Sequence, residues 1–181
     1  MLILASASPR RHELLSNAGI LHIVRPASVP EIRAPGESPV DFVRRLAYEK
    51  AHAIEAAPDD IVLGADTIVC VDSEVFEKPS GLEDAERMLN ALSGRDHRGY
   101  TGICLRSALR VIQDVAETRV SFVQLTTDEI REYTQTGEPL DKAGAYAIQG
   151  LASKFVSGIV GCYHNVVGLP VSLVYTHLKT L

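Results

Sequence analysis

The chain has 181 residues, 46% hydrophobic and 23% charged, with a formal net charge of -5. That length suits one domain with room for a proper core, and the composition is that of an ordinary globular protein. The acidic balance argues against general nucleic-acid binding, which needs a basic face, so an anionic substrate would require positive charge gathered locally.

Leu2 to Ala5 reads as a short apolar strand running into Ser6-Ala7-Ser8-Pro9-Arg10-Arg11. Ser8 is a good N-cap and Pro9 suits the first helical position, so a helix is expected with Leu14, Leu15 and Ala18 inward and Gly19 as C-cap. A strand feeding a helix N-terminus presents free N–H groups, and two serines and two arginines there suit a phosphate. The alternative is a capped helix with two solvated arginines. Leu21 to Val24 is a candidate second strand, and the Pro-rich, polar stretch from Arg25 to Pro39 is a loop that carries Glu31.

Ser38-Pro39-Val40-Asp41 opens a long helix with an acidic first turn. Its apolar stripe is Val43, Leu46, Ala47, Ala51 and Ile54, and Lys50 falls inside that stripe. Such a lysine either snorkels to the rim of a core or is aimed into a cleft against an anion or a carboxylate. Ile61 to Val71, IVLGADTIVCV, reads as a strand buried on both faces with a single charge, Asp66. An ionised carboxylate in such a strand needs a cation, a metal or a cleft. A structural pair with a Lys or Arg would equally satisfy it, and Gly64 leaves space beside it.

Asp72-Ser73-Glu74 looks like a turn, returning through Val75-Phe76 to Glu77-Lys78-Pro79. Ser80 with Glu83 makes a capping box for a helix reaching Leu92, with Ala85, Met88, Leu89 and Leu92 inward. Strands are expected near Tyr100 to Arg106 and Val115 to Leu125, then a short helix capped by Thr126 and Glu129 that ends near Gly137. The stretch from Gly137 to Gly150, GEPLDKAGAYAIQG, is too rich in glycine and mixed charge for a plain helix, and reads as a functional loop passing into a strand. A last strand at Phe155 to Val160 and a closing helix from Pro170 complete an α/β chain with a mixed sheet.

No run is apolar and long enough to span a bilayer, and the start of the chain lacks a signal-peptide pattern. Cys70, Cys104 and Cys162 are widely spaced in apolar contexts, as reduced thiols of a cytoplasmic protein would be. The six histidines lack ligand spacing, which disfavours zinc, and there is no Walker A loop, GxGxxG, GxSxG or HExxH.

Taken together, SASPRR (6–11), RLAYEKA (45–51), GADTIV (64–69), FEKP (76–79), LSGRDH (92–97), GEPLDKAGAYAIQG (137–150) and NVVGLP (165–170) resemble the successive motifs of the Maf family, end to end and in order. The resemblance implies a house-cleaning nucleoside triphosphate pyrophosphatase that cleaves between the α and β phosphates with a divalent metal. It further implies one Maf-like domain over residues 1–181, an elongated mixed β-sheet flanked by helices, two lobes with a deep cleft, and in many members a homodimer. Carried over by position, Asp66 would be the catalytic base, with Glu31, Lys50 and Lys78 beside it. Ser8, Arg10 and Arg11 would serve the triphosphate. Arg11, Thr67 and Gln149 resemble the specificity set of the dTTP/UTP branch. The chain departs from the common pattern at Pro30, where an acidic residue often precedes Glu31, and at Cys162, often Ser.

The chemistry of these residue types agrees. Attack of water on a polyanion requires charge neutralisation and in-line positioning. Hard oxygen donors such as Glu31 and Asp66 suit Mg or Mn. Lysines and arginines hold phosphate oxygens and stabilise the pyrophosphate leaving group. A carboxylate beside lysines and a metal is expected to have a lowered pKa, so Asp66 would orient water or hold metal as much as take a proton. The partner is then a nucleoside triphosphate, with neither nucleic acid nor membrane implied. Two other readings remain open: 7-methyl-GTP as substrate, and a nucleotide-binding regulator of cell division without turnover.

Overall fold

Leu2–Leu4 (β1), His22–Val24 (β2) and Ile61–Val71 (β3) meet as parallel neighbours in the computed structural model, which describes residues 1–181. β1 lies between the other two, pairing Leu2, Ile3 and Leu4 with His22, Ile23 and Val24 on one side and with Ile61, Val62 and Leu63 on the other. The remaining strands are Glu74–Phe76 (β4), Asp96–Arg106 (β5), Val111–Phe122 (β6) and Val156–Val160 (β7). They complete a seven-stranded sheet in the order β2-β1-β3-β5-β6-β7, with β4 paired to β3 off that path. The β3–β4 and β6–β7 pairs are antiparallel, so the sheet is mixed, in an α/β chain as expected. The helices are Pro9–Asn17 (α1), Pro39–His52 (α2), Leu82–Leu92 (α3), Thr127–Gln135 (α4), Tyr163–Val167 (α5) and Val171–Leu178 (α6).

The chain divides into two compact units. The first comprises residues 1–66, 101–116 and 168–181, and the second residues 67–100 and 117–167.

In the first unit, α2 forms where the sequence places it. The Ser38 hydroxyl accepts from the Asp41 N–H at 3.1 Å, and Pro39 follows as the first helical residue. Phe42, Val43, Leu46, Ala47, Lys50 and Ala51 are buried, and Ala47 and Ala51 join Ile3, Ala5, Val62 and Cys104 in one core. The helix lies directly on the strands because two glycines let it. A Cβ at Gly64 would fall 2.1 Å from the Ala47 carbonyl oxygen, and one at Gly102 would fall 2.2 Å from that of Val43. The first helix differs from expectation in detail. Ser8 is at the N-cap but makes no side-chain cap bond, Ala18 is the C-cap instead of Gly19, and Ala18 is exposed.

In the second unit, Val69, Phe76, Leu89, Phe122, Tyr146 and Phe155 belong to one apolar core with the inner face of α3. Thr126 and Glu129 form the full capping box of α4 that the sequence predicts. The box expected for α3 is absent: Gly81 is its N-cap, and Asp84 accepts the Ser80 N–H at 2.9 Å in place of any Glu83 contact. β5 starts four residues earlier than expected. Residues 137–150 contain no strand. They form 3-10 turns at Glu138–Asp141 and Ala143–Ala145, with a third at Leu151–Phe155 before β7. Helix α5 was not expected, and Pro170 caps α6.

Candidate active site

Because β1, β2 and β3 run parallel, their carboxyl ends lie together, and in open α/β sheets that edge is where ligands bind. Three features leave it. β1 ends at Leu4 and enters the Ser6–Arg11 turn and α1. β2 ends at Val24, where the Arg25 N–H still bonds the Leu4 carbonyl at 3.0 Å, and enters the loop that carries Glu31. β3 continues past its pairing with β1, and the first charge beyond it is Asp66.

Asp66 is buried, with 7% exposure, and it is paired. The Lys50 ammonium, reaching from α2, donates to Asp66 Oδ1 at 2.6 Å and pairs with Glu31 Oε1 at 2.5 Å. One buried cation thus bridges a strand carboxylate and a loop carboxylate, the latter half exposed. Lys50 thus lies in the apolar stripe and is aimed at carboxylates instead of the rim of the core, and Asp66 has the lysine partner that a buried strand carboxylate requires. The close seating of α2 on Gly64 delivers its ammonium to Asp66.

The acidity of Asp66 differs from expectation. Burial raises its pKa, and this outweighs the opposing effects of Lys50, of Arg11 and of the hydrogen bond from Lys50. Counting neighbouring cations predicts a depressed value, but desolvation of a strand carboxylate is the larger effect here. The consequence is a better base than the sequence implies.

Arg11 is also buried, and three of its N–H groups are engaged inside the protein. Nε donates to the Gly168 carbonyl at 2.8 Å, and Nη1 donates to Ser6 Oγ and to the Ala65 carbonyl, each at 2.9 Å. Burial lowers the Arg11 pKa, with Asp66 and Glu31 opposing. Arg11 therefore fixes the β3 backbone one residue before Asp66, a role the sequence reading missed, as it missed Ser6. Ser6 Oγ also accepts the Ser8 N–H at 3.3 Å, which shapes the entry to α1. Arg10, next to Arg11 at the helix start, is half-buried and contributes to the local positive field.

The Glu31 loop is held to α2 by Arg45, another residue the sequence reading passed over. Arg45 makes a two-pronged contact with Glu37, Nε to Oε1 at 2.7 Å and Nη2 to Oε2 at 2.9 Å, and donates to the Ile32 carbonyl at 3.0 Å. The hydrogen bond from Arg45 holds the Glu37 carboxyl down at about 2. Its i,i+4 partner Glu49 was the one signal in the sequence.

Three predicted residues belong to the second unit. Thr67 is half-buried in β3, directly after Asp66 in the chain. Lys78 is exposed beyond β4, and Gln149 is exposed in the turn before Leu151–Phe155.

A hard divalent cation fits the donors present. Glu31 and Asp66 supply carboxylate oxygens and no group of three or more His, Cys, Asp or Glu gathers to form a closed cage. Mg characteristically takes one or two carboxylates and completes its shell with substrate phosphates and water.

Comparison with known proteins matches residues 1–181 to the family model described as Maf-like protein. The chain belongs to the Maf family. Among curated relatives, it is 50% identical over 179 residues to a dTTP/UTP pyrophosphatase of Koribacter versatilis, covering 98% of this chain and 93% of that one. It is 53% identical over 175 residues to a protein of the same name from Anaeromyxobacter dehalogenans, covering 94% and 89%. A Geobacter relative, also so named, is 50% identical over 183 residues, with 99% and 95% covered. Among solved structures, a HAM1 protein from Coxiella burnetii aligns over 99% of this chain and 98% of its own with a TM-score of 0.53 at 15% identity, a likeness of fold alone. No helix is long and apolar enough to cross a membrane.

Proposed function

We propose that this Maf family protein is a nucleoside triphosphate pyrophosphatase that hydrolyses dTTP and UTP, and related modified pyrimidine nucleotides, to the monophosphate and pyrophosphate. The observation that carries the reading is the Asp66–Lys50–Glu31 bridge, with its lysine and strand carboxylate buried, at the carboxyl edge of parallel strands in a chain about half identical to proteins named dTTP/UTP pyrophosphatase. The match over residues 1–181 supports treating the chain as one Maf-like domain of two compact units, and the proposal takes its substrates from the cytoplasmic nucleotide pool.

In this mechanism Asp66 orients the attacking water and takes its proton, helped by the upward shift that burial gives its pKa. Lys50 holds Asp66 and Glu31 in register and stabilises negative charge as it develops on the phosphates. Ser8, Arg10 and the N–H groups at the start of α1 bind phosphate oxygens, while Arg11 holds the β3 backbone and adds its charge. Lys78 is assigned to the leaving pyrophosphate, and Thr67 and Gln149 to the base, on the family motifs. A divalent cation such as Mg or Mn, held by Glu31 and Asp66, would supply neutralisation of the polyanion.

The test is a panel of UTP, dTTP, GTP and 7-methyl-GTP with Mg or Mn, assayed for pyrophosphate and separately for orthophosphate. Pyrophosphate release with highest catalytic efficiency on UTP and dTTP is expected, and Asp66→Asn should abolish it while the protein stays folded. Orthophosphate release, preference for 7-methyl-GTP, or near-normal turnover in Asp66→Asn would each refute a stated part of the reading.

A further inference from the structure

Gln149 lies in a turn whose two stems are gripped by one small network, all of it within the second unit. On the incoming stem the Ala147 N–H donates to the Tyr133 hydroxyl oxygen at 3.2 Å. On the outgoing stem the Leu151 N–H donates to both oxygens of the Glu138 carboxylate, at 3.0 and 3.1 Å. The Tyr133 hydroxyl then donates to Glu138 Oε1 at 2.8 Å and joins the two grips into one. The Gly150 N–H bonds the Ala147 carbonyl at 3.0 Å and closes the turn.

Two further observations show how closely the network fits. A Cβ at position 150 would meet the Glu138 carboxylate at 2.3–2.5 Å, so only glycine lets the carboxylate seat against the turn. The Glu138 backbone is itself anchored, its carbonyl accepting from Lys142 Nζ at 2.8 Å. Burial first, and the Glu138 acceptor second, push the Tyr133 phenol well up, so its proton remains on the hydroxyl to donate. The side chain left pointing outward between the two grips is Gln149, which is exposed.

We propose that Glu138, acting with Tyr133, is a positioning residue for Gln149 and thereby sets pyrimidine selectivity; this rests on the reading of Gln149 as the group that meets the base. An amide that distinguishes one base edge from another must be held in direction as well as place, because a donor–acceptor pair rotated out of register no longer discriminates. A carboxylate suits the grip because it only accepts. Both of its oxygens face donors, and an amide in its place would turn an N–H₂ toward either the Leu151 N–H or the Tyr133 O–H.

The experiment measures catalytic efficiency on UTP, dTTP and GTP for wild type, Glu138→Gln, Tyr133→Phe, Gln149→Ala and the double variant Glu138→Gln/Gln149→Ala, with circular dichroism to confirm folding. Glu138→Gln should lower the UTP-to-GTP efficiency ratio by about tenfold, mostly through KM for UTP. Tyr133→Phe, which keeps the ring but deletes the hydroxyl, should lower it in the same direction by less. In the Gln149→Ala background, Glu138→Gln should change the ratio no further. If Gln149→Ala lowers the ratio and Glu138→Gln does not, the positioning role is overturned while the base-reading role of Gln149 stands. If Gln149→Ala leaves the ratio unchanged, the reading of Gln149 has failed and the proposal falls with it. An equal loss on all substrates in Glu138→Gln, or a ratio effect that persists in the double variant, overturns the proposal as well.

Discussion

Gly64→Ala tests the link between packing and chemistry most directly, because it adds one methyl group where α2 touches β3. The new Cβ would sit 2.1 Å from the Ala47 carbonyl oxygen and 2.7 Å from the Ala51 nitrogen, against 3.4 Å for ordinary contact. Both are helix backbone atoms, so no side-chain rotation relieves the overlap. The helix must lift by about 1 Å, an overpacking change that destabilises by about 1–3 kcal/mol. Ala47 and Ala51 flank Lys50 on the helix, so the ammonium moves away from Asp66 and Glu31, which it now meets at 2.6 and 2.5 Å. A misplacement of about 1 Å in a reacting constellation can reduce rate about a hundredfold. The expected result is a protein that stays folded at 25 °C, with a lower midpoint in urea followed by circular dichroism, and catalytic efficiency on UTP about a hundredfold down per folded molecule. Lost stability with unchanged activity per folded molecule would refute the argument that the helix seat fixes the catalytic geometry.

Lys50→Met keeps the apolar stem but leaves two carboxylates facing each other without their shared cation. Turnover should collapse and stability should fall by about 3–5 kcal/mol, as when one partner of a buried pair is removed; near-wild-type turnover would show that the ammonium takes no part in the chemistry. Glu37 has a folded pKa of about 2, below its ordinary 4.5, so its contribution to stability is present above pH 4.5 and lost as pH falls towards 2. Unfolding of wild type and Glu37→Gln should therefore differ at neutral pH and converge in acid; a constant difference would contradict the pairing with Arg45. His97 is buried with its Nδ1 unpartnered, and burial depresses its pKa from 6.5 to about 4. The unfolded chain takes up that proton first, so wild type should lose about 3 kcal/mol as pH falls from 7 to 4, and His97→Phe should lose correspondingly less over that range. Parallel stability curves would show that His97 does not titrate in this way.

Most of the fold was legible because it follows from local chemistry. The Ser38-Pro39 start of α2, the Thr126–Glu129 box of α4 and the apolar run of β3 are each specified within a few residues, and each forms as read. The failures share a cause. Residues 137–150 fold into 3-10 turns because remote groups hold them: Glu138 accepts from Leu151, and the Gly144 N–H bonds the Glu77 carbonyl at 3.1 Å. Neither bond leaves a periodicity in the sequence. The Ser80–Glu83 pattern was misleading because Asp84, one residue further on, also reaches the Ser80 N–H and wins.

The site divides along the same line. Lys50 and Asp66 were visible because each is a charge in an apolar pattern, a conflict that needs a partner, and the structure makes them partners. Glu31 carried no such signal, since a carboxylate in a polar loop looks solvated until the lysine across the fold is known. Arg11 has contacts of a kind the sequence does not announce. An arginine at a helix start looks like a phosphate ligand, yet this one also donates to the Gly168 and Ala65 backbone carbonyls, which no residue type announces. The acidity of Asp66 shows why charge counting alone misjudges such a site. Lys50 and Arg11 each favour the ionised form, but they act on a carboxylate that β3 has already taken out of water, and desolvation prevails. The same burial that makes the strand a good core element thus raises the affinity of Asp66 for a proton, which is the property the proposed role of Asp66 as base would require.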